Sequence, residues 1–332
     1  MARVGLLAML AMLAAAAGLV PSPGCAAPSD KSTDLTKPEN KTLRCDDGFT
    51  NLHITYFRSP ADKESPVVVL LHMKDGNRFV WQSEGGFAEV LQKAGYAVIT
   101  VDLRFHGESK VGGAAGVANA NQGTGKKNKG KKAAGLDLQP GDYKAMFAFD
   151  MEAVKDFIKE EHVKGNLNMN KMGIVGPEMG ASVATYFAVL DWDKLPYEDA
   201  QPDFRTPKGQ DVRALVLISP ENKFHGLTMA ATIPVLQDPE KNIAFLICCG
   251  SDLKDKAQSE KIFDMVLQRG VQTKKRMYFK EYNAKLTGID LLGQRLLIEE
   301  NMLGFFNEHL QKLDSPWRER RSKRELRELK KK

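Results

Sequence analysis

Largely apolar segments alternate along this chain with segments whose apolar residues recur at helical spacing, and this rhythm is its clearest structural signal. Residues 66–72, 96–102, 171–176, 212–219, 242–249 and 275–282 predict strands, and residues 79–94, 142–161, 179–190, 255–269 and about 290–313 predict the helices between them. Strands that are apolar throughout must be covered on both faces. The expectation is therefore an α/β fold with a mostly parallel sheet and helices on either side. Ahead of the series, 43–58 carries the turn sequence Asp46, Asp47, Gly48 and predicts an antiparallel hairpin.

One stretch breaks the rhythm. Residues 109–141 are rich in Gly, Ala, Asn and Lys, which predicts a flexible surface insertion. Within it, 125–131 matches the first part of a phosphate-loop pattern. Lys132 stands where Ser or Thr would hold the metal, and no strand leads into the loop, so a nucleotide site is not expected. There are no internal repeats.

The 332 residues, 42% hydrophobic and 27% charged, suit one large domain, and disorder is not the expectation. The domain is placed at 43–313. Before it, Arg3, the apolar run 4–20 and the small residues Gly24 and Ala26 predict a signal peptide over 1–26, followed by a polar linker over 27–42. The apolar run of about 17 residues is short for a membrane span of about 20. An uncleaved membrane anchor is the second reading, and lipid modification at Cys25 the third. Export to the periplasm, cell surface or medium follows from each.

Cleavage leaves Cys45, Cys248 and Cys249. No C-x-x-C spacing occurs, so neither a metal nor a cofactor is expected. Cys248 and Cys249 sit in an apolar strand and are expected as buried thiols on opposite sides of it. A disulfide using Cys45 stays open.

The net charge of +6 is local: 318–332 holds nine basic and three acidic residues, and the remainder is neutral overall. Nucleic acid is therefore not an expected partner. This basic tail, 314–332, has charge pairs at helical spacing, Glu319 with Lys323 and Glu328 with Lys332, but only two leucines to bury. A solvated, fraying or disordered end is expected, with contact to an acidic surface polymer or membrane as the other reading.

Three landmarks carry chemistry. Leu70, Leu71, His72, Met73, Lys74, Asp75 and Gly76 close one strand. Asp102 to Ser109, with Arg104, His106 and Gly107, follows the next. Gly176, Pro177, Glu178, Met179 and Gly180 join a strand to a helix. In this order, over roughly 43–313, they resemble the α/β-hydrolase superfamily, nearest to its dienelactone hydrolase and serine aminopeptidase-like branches.

The resemblance implies an α/β-hydrolase fold and a G-x-S-x-G elbow, in which glycines permit a sharp turn and a serine is presented at a helix start. Here Glu178 occupies the serine's place. The family's acid falls at Asp252, with Asp255 and Glu221 as rivals, and its histidine falls at Thr287, ahead of Gly288. No histidine lies between His225 and His309. The oxyanion pocket would come from the backbone N–H groups of Met179 and Met73. A serine nucleophile needs a base that takes its proton and returns it to the leaving group, and threonine does neither near neutral pH.

Three functions are weighed on these residues. The first is an exported hydrolase-like protein that does not act as a serine hydrolase and instead binds an unknown small molecule or protein. Its Glu178 carboxylate would fill the oxyanion pocket as a resident anion, aided by Lys74 or Lys285. The second is a hydrolase of esters or related acyl compounds with a carboxylate-centred site, which needs Glu178, Asp252 and a histidine such as His72, His106 or His225 to converge. The third makes the basic tail the working part, tethering the domain to an acidic surface.

Overall fold

The computed structural model describes residues 37–110, 138–267 and 275–331. The expected signal peptide and the phosphate-loop-like stretch lie outside the described residues. No helix among the described residues is long and apolar enough to cross a membrane.

A hairpin of β1 (Glu39–Arg44) and β2 (Asn51–Phe57) opens the domain, turning through Asp47, whose carboxylate accepts from the Thr50 N–H and hydroxyl. The strand begins four residues before the expected domain start, inside the stretch predicted as linker. Then come β3 (Pro66–Leu70), α1 (Phe87–Lys93), β4 (Ala97–Asp102), α2 (Pro140–Ala145), α3 (Met151–Val163), β5 (Asn168–Pro177) and α4 (Met179–Asp193). The chain continues with β6 (Val212–Ile218), the short hairpin β7 (Lys223–Phe224) and β8 (Leu227–Thr228), and α5 (Met229–Leu236). It closes with β9 (Ala244–Cys249), α6 (Leu253–Leu267), β10 (Met277–Glu281), α7 (Ile298–Phe306) and α8 (Lys323–Leu329).

The main sheet has eight strands in the order β1-β2-β4-β3-β5-β6-β9-β10. Only the β1/β2 and β2/β4 pairings are antiparallel, and β4 through β10 run parallel. Alternating residues along each strand feed two cores. Val67, Val69, Leu215, Leu217 and Ile247 meet helices α3 to α6 on one face, while Val68, Leu70, Val216 and Leu246 meet α1 and α7 on the other. Each fully buried large apolar side chain contributes about 1.5–3 kcal/mol, and this two-sided burial is what holds the strands.

Two predicted helices are interrupted. Gly85 and Gly86 split 79–94, leaving a 3-10 turn at Arg78–Trp81 and a short α1. The closing helix is broken by Gly293, Arg295 and Leu297, all at positive φ, so that α7 starts only at Ile298. The cysteines Cys45, Cys248 and Cys249 are free and buried. Cys45 donates to Asp150 instead of forming a disulfide.

The tail departs from the expectation of a solvated end over 317–322, whereas α8 beyond it has no buried residue. Trp317 stacks on His162 at 4.9 Å and donates its indole N–H to the His162 carbonyl, while the Arg318 carbonyl meets His162 Nε2 at 2.7 Å. Arg320 is buried, with bonds to Asp211 of 2.6 and 2.8 Å and to Asn170 of 2.7 Å. Ser322 and Glu325 cap α8 reciprocally. Charge counting reads such a segment as solvated because it does not reveal that one arginine has a buried carboxylate waiting for it.

Candidate functional site

The carboxyl ends of the parallel strands share one edge, and ligand sites of open α/β sheets form there. At that edge β5 runs into Glu178, and α4 starts at the next residue. Glu178 has φ 46° and ψ −107°, donates its N–H to the Ile218 carbonyl at 2.9 Å, and accepts at its own carbonyl from the Ala181 N–H. A Cβ on Gly176 would stand 2.3 Å from the Gly180 carbonyl, and one on Gly180 would stand 2.9 Å from the His72 carbonyl. Strand end, helix start and neighbouring loop are therefore in direct backbone contact, which only glycine allows. A left-handed backbone costs a non-glycine residue about 1–3 kcal/mol, so Glu178 sits on a strained turn.

The loop after β10 returns to this turn. The Thr287 hydroxyl donates to Glu178 Oε1 at 3.4 Å. Gly288, at φ +55°, makes room for the carboxylate, since a Cβ there would come within 2.7 Å of Oε1. The two residues that the sequence resemblance sets at the nucleophile and histidine positions thus face each other.

The three candidate acids separate. Asp252 is exposed and accepts from the Lys254 and Asp255 N–H groups, which makes it the cap of α6. Asp255, one turn further on, is buried and accepts from the Ser219 hydroxyl at 2.9 Å and the Gly250 N–H at 3.0 Å. Ser219 in turn accepts from the Gly288 N–H at 2.8 Å. A relay of Asp255, Ser219 and Gly288 therefore supports the loop that carries Thr287. Ser219 escaped the sequence reading; its signal is a polar residue directly after an apolar strand, at the functional edge. Glu221 lines the same cleft of about 160 Å³ as Glu178, Ser219, Asp252, Asp255 and Thr287.

Burial raises the Glu178 carboxyl above its ordinary range, and the nearby Glu221 raises it further, against the opposing Thr287 bond. Burial raises Asp255 also, opposed by its bonds from Ser219 and Gly250. The expected resident anion is not what these groups form. The hydrogen-bond partner of the carboxylate is Thr287, the side chain makes no capping bond to α4, and the charges of Glu221, Asp255 and Asp290 raise its pKa. Met179 opens α4, and the approach of the His72 carbonyl to Gly180 brings the loop bearing Met73 to that same corner.

The histidines near the strand ends are engaged elsewhere. His72 is fully buried, with Nδ1 2.7 Å from the Met73 carbonyl and Nε2 accepting from the Leu103 N–H. Burial, with His106 alongside, pushes its pKa down to about 4. His106 has Nδ1 2.9 Å from the Arg104 carbonyl and its ring against His72. His225 stacks on Tyr143 at 4.9 Å. Asp102, the last residue of β4, binds the buried Arg78 as an ion pair and accepts from the Glu108 N–H of the turn that follows. That turn is held by charge pairing.

No family model matches the sequence, and no curated protein matches it. Solved structures match in fold. A dienelactone hydrolase from Anabaena variabilis aligns at a TM-score of 0.52 and 16% identity, over 82% of this chain and 98% of its own. A highly thermostable carboxyl esterase from Bacillus coagulans gives 0.53 and 13%, over 82% and 99%. The acylaminoacyl peptidase of Pyrococcus horikoshii gives 0.50 and 12%, over 85% of this chain and 43% of its own. At such identities the likeness is one of fold.

Proposed function

Because the chain has the α/β-hydrolase fold, we propose that it is an exported protein whose elbow cleft binds a small molecule or partner without ordinary serine-hydrolase turnover. The observation that carries this reading is the contact of Thr287 with Glu178, a hydroxyl donor and a carboxylate where the fold's hydrolases have base and nucleophile. Such a pair can hold a ligand by hydrogen bonds. Acyl transfer in two steps also needs a group that accepts and returns a proton near neutral pH.

A carboxylate-centred hydrolase is the competing reading. It requires a histidine to activate water, and its Asp252 belongs to the cap of α6. The test is hydrolysis of a panel of small chromogenic esters by the mature protein, by Glu178→Gln and by buffer alone. Wild type indistinguishable from buffer is expected. Turnover in wild type that vanishes in E178Q would establish the carboxylate-centred enzyme instead.

Export rests on the residues of 1–26. Protein recovered outside the cytoplasm is expected to begin at Ala27, and a lipid-bearing Cys25 as first residue would overturn cleavage after Ala26.

A further inference from the structure

A second groove, of about 420 Å³, lies at the opposite edge of the sheet from Glu178, between the start of β6, the 203–210 segment and the docked tail. Arg213, the second residue of β6, is the one charged residue in that strand. Its guanidinium lies 4.9 Å from the Trp192 ring centroid, and Nη1 reaches the Lys241 carbonyl only at 3.5 Å. Its Nε–H is buried with no hydrogen-bond partner.

The acids nearest to it are already committed. Asp211 is held by Arg320 and by Lys155 at 2.9 Å. Asp191 is held by Lys155 and by the Asp211 and Val212 N–H groups. Burial lowers the Arg213 pKa against the support of Asp211 and Asp191, and the neighbouring Arg320 and Arg276 lower it further. A half-buried guanidinium with an orphan donor is costly unless something completes it, and a planar fork of donors fits an oxyanion. Arg205 and Arg318 line the same groove, and among the described residues neither is in an ion pair. Asp203, Asp314 and Glu319 line it too, Glu319 already paired with Arg321, so a ligand must seat its charge against the arginines.

We propose that this groove binds a small molecule bearing a carboxylate or phosphate group, anchored by Arg213 with Arg205 and Arg318 beside it. The site is separate from the elbow cleft and independent of its chemistry.

Calorimetric titration of the protein with inorganic phosphate and with citrate, against sodium chloride at matched ionic strength, tests it. Saturable binding of one or both anions is expected, and which one binds identifies the oxyanion. Arg213→Met should weaken that binding at least about tenfold, and the ligand-free variant should melt no lower than wild type, since a buried donor without a partner has gone. Glu178→Gln should bind as wild type does. If R213M does not fold, Arg213→Lys keeps the charge without the planar fork and should bind several-fold more weakly. Absence of saturable binding by either anion, or unchanged affinity in the Arg213 variant tested, would overturn the proposal.

Discussion

At the scale of single residues, Glu178 is the position where structure and chemistry diverge. The backbone keeps the geometry of an elbow, but the side chain is a carboxylate hemmed in by Thr287, Glu221 and Asp255. Its carboxyl is raised from an ordinary 4.5, so its protonated form is the one the fold favours. The stabilising contribution is therefore complete below pH 4.5 and is lost as pH rises through the raised value. Glu178→Gln removes that loss. Its melting temperature should exceed that of wild type at pH 7 by about 1–3 °C, and the gap should close as pH falls below 4.5. A constant gap across that range would mean that the Glu178 charge is not the cause. The choice between Asp252 and Asp255 was a matter of helix phase. Both follow β9 closely, but the first caps α6 outward and the second, one turn on, faces the core, which the sequence spacing alone does not distinguish.

At the scale of elements, the parallel strands were legible because their apolar runs have no polar face to misplace. The helices were less so. Paired glycines shorten α1, positive-φ residues delay α7, and α5 carries Pro234 inside it, which reads as a breaker. The tail was legible only as charge, since its anchors, Trp317 and Arg320, depend on partners more than a hundred residues away in sequence. These anchors set a sharp contrast. Asp211→Ala leaves Arg320 and Lys155 buried beside a missing carboxylate and should cost about 3–5 kcal/mol in urea unfolding. Arg318→Ala, an exposed position on the same tail, should stay within about 0.5 kcal/mol of wild type. Equal effects at the two positions would contradict the docking of the tail through Arg320.

At the scale of the molecule, the order of landmarks along the chain was enough to anticipate the fold, because each motif sits where a strand must meet a loop. It did not reveal the supporting relay of Asp255, Ser219 and Gly288, which joins the first turn of α6 to the loops after β6 and β10 through side-chain and backbone bonds. The hydrolase fold is present, and we propose that its two reacting groups are replaced, by Glu178 and Thr287. The most direct measurement is turnover of a small activated ester by wild type and by the double variant Glu178→Ser, Thr287→His, both checked for native folding. Wild type should match buffer, and the double variant should exceed it by at least about tenfold, since a serine with a positioned base regains the missing proton transfers. Turnover already present in wild type, or a folded double variant no faster than buffer, would contradict it.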